Sequence, residues 1–185
     1  SSNLEDRKHL ACHSVYNAPM ELDKRLKKIA TGVSARELAH SHPHSIIPGD
    51  TPADYEKARV AEFKATIEAM FLMAAVDGEV SEIEFEQLGA SIHAIADTKA
   101  IENIRVNETL RELADKLARD GWRARLEAVA RRIRSDEAKQ FAFRLAAGVA
   151  FVDDHVAHAE AAAIDALAAA FGLGSEESQS ILRDV

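Results

Sequence analysis

Met73-Ala-Ala-Val-Asp-Gly-Glu-Val-Ser-Glu-Ile-Glu84, laid over Val149-Ala-Phe-Val-Asp-Asp-His-Val-Ala-His-Ala-Glu160, decides the fold. Asp77 meets Asp153, Val80 meets Val156 and Glu84 meets Glu160, and the residues beyond stay in phase: Leu88, Ile92 and Ile95 fall on Ile164, Ala168 and Phe171. Residues three and four apart share one face of a helix, so both copies bury the same stripe. The repeated unit is therefore a helix, a short acidic loop and a second helix. Two such units are expected to pack as a pseudo-symmetric, all-α bundle.

Working outward, helix signals fill the chain. Thr51 followed by Pro52 reads as a cap and a first helical position, and Val60, Phe63, Ile67 and Phe71 carry an apolar face onward to about Val76. Asp77-Gly78 breaks that helix, and Ser81 to Ala96 forms the next. Further helices are expected over Val106–Arg119, Trp122–Arg134, Ser135–Val152, Ala157–Phe171 and Ser175–Leu182. Before residue 50, Glu21–Ala30 and Ser34–Ala39 read as short helices, and the His40–Asp50 stretch, with Pro43, Pro48 and Gly49, reads as a loop. The expected organisation is an N-terminal arm, 1–49, and a helical body, 50–185, with about seven to nine helices in all. The chain opens at Ser1 without a Met, so its first residues read as a remnant of processing.

Composition excludes several function classes. A net charge of -8 repels nucleic acid, and the one basic run, Arg123 to Arg134, is interleaved with Leu126, Val129 and Ile133 at core spacing. Cys12 is the only cysteine, so an intrachain disulfide and a thiolate zinc cage are both impossible, which suits a reducing, cytoplasmic setting. No stretch approaches the roughly 20 apolar residues of a membrane span. There is no Gly-rich phosphate loop, no nucleophile elbow and no recurring glutamate-plus-histidine pair of a di-metal centre, so the chain is expected not to be an enzyme. His9, Cys12 and His13, and the loop histidines His40, His42 and His44, are weak zinc or nickel candidates that read more simply as solvated side chains.

Three readings of the acidic motif compete. An EF-hand fails, because its opening ligand positions fall on Met73 and Ala75 in the first copy and on Val149 and Phe151 in the second, and apolar side chains cannot coordinate calcium. A capping box explains Glu84, since Ser81-Glu-Ile-Glu84 has the required spacing, but Ala157 replaces the serine in the second copy. An acidic cation site is the third. Glu84 and Glu160 are in phase with the buried stripes, which would aim them at the mouth of the core. Oxygens from Asp77, Glu79 and Glu84 would suit calcium or magnesium, and His155 beside Asp153, Asp154 and Glu160 would turn the second site toward zinc.

The paired Asp-Gly-x-Val-x-x-x-Glu pattern, Asp77 to Glu84 with its second copy, resembles the signature of TerB-like domains over roughly Tyr55 to Leu182. These occur in bacterial tellurite-resistance proteins and in a membrane-anchored DnaJ-type co-chaperone. The resemblance implies an all-helical, non-enzymatic domain that binds a divalent cation through clustered acids and serves stress responses through protein partners. It further implies a cytoplasmic place, including the inner face of the membrane. Asp154, in place of glycine, and His155 and His158, in place of acids, depart from the pattern. The alternative is an interaction or co-chaperone-like module whose acidic motifs are helix caps with no metal.

Overall fold

A computed structural model describes residues 18–34, 52–78, 80–99, 101, 104–151 and 158–185. These form eight α-helices with no strand among the described residues: α1 Ala18–Ser34, α2 Pro52–Ala74, α3 Glu82–Thr98, α4 Val106–Asp120, α5 Trp122–Arg132, α6 Asp136–Ala150, α7 His158–Phe171 and α8 Ser175–Arg183. The expected all-helical class is what the chain adopts. Beyond Ser34, which ends α1, the helix expected over Ser34–Ala39 lies outside the described residues, as do the histidine-bearing stretches around Cys12 and Pro43.

The bundle is organised by α2. From Ala65 to Met73 every residue is buried, the signature of a helix wrapped on all sides rather than laid on a surface. One side of α2, with Phe63, Ile67, Met70 and Phe71, joins Leu26 of α1, Leu88 and Ile92 of α3 and Leu110 of α4 in a first core. Its other side, with Ala65, Ala69, Leu72 and Met73, joins Val129 of α5, Phe143 of α6, Leu167 and Phe171 of α7 and Ile181 of α8 in a second. Helix α6 lies along α2 and shares both cores, while α1 packs on α6 and α3, and α5 packs on α2 and α7. Each central helix is thus flanked by the helix that opens the other half of the chain, an arrangement compatible with the sequence repeat.

The N-terminal boundary reads differently in space. Within the expected arm, 1–49, α1 buries Leu22, Leu26, Ile29 and Ala30 in the first core. The contact is close because α6 offers Gly148 there. A Cβ at Gly148 would stand 2.9 Å from Ile29 Cδ1 and 3.0 Å from Leu26 Cδ2. Arg25 Nη1 of α1 also donates to the Phe151 carbonyl, satisfying an orphan acceptor at the C-terminus of α6. Packing therefore makes α1 part of the bundle.

Candidate functional site

The acidic motif occupies the corner between α2 and α3. As α2 ends, Ala75 N–H still donates to Phe71 O at 3.0 Å, and Gly78 N–H turns back to Ala75 O at 3.2 Å with φ of 127°, a value that strains any residue bearing a Cβ. Asp77 stands exposed in this turn. Ser81, extended at φ -64° and ψ 157°, is the N-cap of α3. Its Oγ accepts from Glu84 N–H at 3.3 Å, and Glu84 Oε2 accepts from Ser81 N–H at 2.8 Å and from Ser81 Oγ at 2.6 Å. Val80 and Phe85, at the two positions of a hydrophobic staple, both pack on the first core and fix the angle at which the chain enters α3.

This geometry corrects one expectation. Glu84 does not point toward the core mouth: it is exposed, and its carboxylate bends back over Ser81. Helical phase fixes where its Cα lies, but the flexible side chain reaches the unsatisfied N–H of the cap, and that hydrogen bond sets its direction. Asp77 and Glu84 are the two described members of the first motif, and the Glu84 carboxylate is turned to Ser81. Glu79 lies outside the described residues, as do Asp153, Asp154 and His155 of the second motif. Glu160 is half-buried in the first turn of α7, where a carboxylate favours the helix dipole. Among the described residues no three His, Cys, Asp or Glu side chains are grouped to hold a metal ion. The described donors thus do not assemble a cation cage.

Among the described residues the densest electrostatic cluster lies elsewhere, at the seam of α2 and α5. Glu68 is 2% exposed, and its two oxygens are taken by two guanidiniums of α5: Arg125 Nε donates to Oε1 at 2.7 Å and Arg132 Nη2 to Oε2. Arg125 extends the network through Nη1 to Asp120 Oδ2 at 3.0 Å, and Arg119 Nε donates to Asp120 Oδ1 at 2.9 Å. Burial alone would lower the Arg125 guanidinium, but Glu68 and Asp120 more than offset it and hold it above its ordinary value. Hydrogen bonds from Arg119 and Arg125 hold the Asp120 carboxyl below its usual value. At the other end of the seam, burial pushes the Glu62 carboxyl up, opposed by the backbone N–H and charge of Arg134. Trp122 Nε1 donates to Leu72 O at 2.9 Å, so the indole is anchored inward.

This cluster has a signal in the sequence that went unused. Glu68 is the one charged residue between Ala65 and Val76, and a carboxylate inside an apolar helix must find cations. The arginine run 123–134, set aside as too interleaved for nucleic acid, supplies them. Buried and bound at both oxygens by guanidiniums of α5, Glu68 holds that helix against α2. No helix of the described residues is long and apolar enough to cross a membrane. Comparison with protein-family models, with curated proteins and with solved structures gives no match to this chain.

Proposed function

We propose that this chain is a non-enzymatic helical interaction domain of TerB-like type, in which the acidic corner between α2 and α3 is a helix cap. The observation that carries the reading is the reciprocal Ser81–Glu84 pair, which gives the most conspicuous carboxylate of the motif a structural task. The buried carboxylate has a structural task as well, since Glu68 is paired with Arg125 and Arg132. What remains is surface, and a rigid scaffold that presents surface serves protein partners. The resemblance adds a stress-response role in the cytoplasm to the proposal.

The rival reading, a domain that binds calcium or magnesium at the first motif and zinc at the second, rests on the signature and on His155. The two separate in a melting screen of EDTA-treated protein against calcium, magnesium and zinc, because a ligand of the folded state alone raises its melting temperature by mass action. The cap reading predicts no rise with any of the three. A calcium or magnesium rise abolished by Asp77→Ala with Glu84→Ala would overturn it, and a zinc rise abolished by Asp153→Ala with His155→Ala would move the cation site to the second motif.

A further inference from the structure

Charge is strongly segregated along this chain. Residues 65–98 contain seven Asp or Glu and no Lys or Arg, whereas residues 121–134 contain five Arg and one Glu within a chain of net charge -8. The fold turns part of each block outward. On α5, Arg125 and Arg132 are drawn in to Glu68, which leaves Arg123, Ala124, Glu127 and Arg131 on the solvent side, Arg131 in an exposed pair with Glu127 at 3.8 Å, with Arg134 beyond the helix end. At the start of α3, Glu82 and Glu86 stand exposed beside Ile83, which at 62% is the one large hydrophobic exposed among the described residues. These surfaces are not joined within one copy: α5 packs along α2, α4 and α7.

We propose that copies of this chain associate head to tail, the start of α3 in one copy seating on the outer face of α5 in the next. Ile83 would cover the flat ground at Ala124, with Glu82 and Glu86 against Arg123 and Arg131. A second copy is the occupant these observations favour because the chain itself carries both complementary surfaces, one acidic around an apolar anchor and one on which three exposed arginines outnumber Glu127 around a small residue. Nucleic acid is disfavoured, since the basic face has no outward aromatic to stack a base and its one tryptophan is bonded inward to Leu72. The net negative charge of each copy opposes association at long range but not at contact: at about 0.1 M salt, charges more than about 10 Å apart are screened while touching pairs are not. The two surfaces differ, so the contact is heterologous and builds rings or chains with rising concentration.

The inference rests on the reading of the chain as an interaction domain, and its own failure is visible separately, in sedimentation rather than in melting with metals. Sedimentation velocity of the full chain should show a weight-average coefficient that rises with concentration at about 0.1 M salt and stays flat at about 1 M. Arg123→Glu with Arg131→Glu, and in a second protein Glu82→Lys with Glu86→Lys, should each weaken association by about tenfold or more, with far-UV circular dichroism unchanged because all four sites are exposed. Mixing the two reversed proteins should restore it. Ile83→Ser, which leaves every charge in place, should weaken it too. A monomer at every concentration in the lower salt, association indifferent to both reversals, or a mixture that fails to associate would each overturn the proposal.

Discussion

Replacing Glu68 by leucine removes the anion around which α5 is seated. In the native fold the Glu68 side chain is 2% exposed, Arg125 15% and Arg132 41%, so the substitution strands one nearly buried guanidinium and one that can turn toward water. Breaking a buried ion pair from one side costs about 3 to 5 kcal/mol, because the remaining charge keeps its desolvation penalty without its partner. Two features pull the expectation to the lower end: Asp120 still binds Arg125 at 3.0 Å, and Arg132 is half in solvent. We expect a loss of about 3 kcal/mol in urea unfolding followed by circular dichroism, with the slope of free energy against urea unchanged. Adding Arg125→Leu and Arg132→Met should recover most of that loss, since an apolar trio leaves no stranded charge. A Glu68→Leu protein within about 1 kcal/mol of the parent, or a triple variant weaker than the single, would refute the claim that this cluster seats α5.

Three further outcomes follow from the packing and the charges. Phe71→Ala and Phe171→Ala, each 2% exposed in a different core, should each cost about 3 to 5 kcal/mol in the same assay, while Ile83→Ala at 62% exposed should change stability by less than about 0.5 kcal/mol. Gly148→Leu should cost about 1 to 3 kcal/mol by driving atoms into Ile29 and Leu26, and removal of residues 1–49 should destabilise the bundle by exposing the same seam. Glu62, whose folded carboxyl lies above its unfolded value of 4.5, binds more protons folded than unfolded in the window just above 4.5. Its penalty is therefore absent at lower pH and develops as pH rises through the folded value; Glu62→Gln should flatten that part of the stability curve measured by urea titration across pH.

How much of this was legible depended on how local the cause was. The corner between α2 and α3, the capping serines Ser81 and Ser135 and the buried phases of Leu88, Ile92, Ile164 and Phe171 follow from residues within a few positions of one another, and α3 and α6 begin within a residue or two of where those signals lie. Ile83, about half a turn round the helix from Ile92, is exposed for the same local reason. The docking of α1 was less visible, because a short amphipathic helix says that it has an apolar face but not what covers it; Gly148, more than 100 residues away, makes the answer possible. The Glu68 cluster was missed for a related reason. Its halves, an unexplained carboxylate in α2 and a surplus of arginines in α5, only explain each other once the two helices lie side by side. At Glu84 the phase of the Cα was right and the inferred direction of the carboxylate was wrong, since a capping hydrogen bond is settled by the backbone donor it satisfies rather than by the stripe below it.

Whether Glu84 belongs to Ser81 or to a cation is tested directly by a double-mutant cycle of Ser81→Ala and Glu84→Ala in urea, run with and without calcium. The cap predicts that each single change costs about 0.5 to 2 kcal/mol, that the double change costs clearly less than the sum, and that calcium alters none of the four stabilities. Strictly additive losses, together with calcium that stabilises the parent protein but not the Glu84→Ala variant, would contradict it.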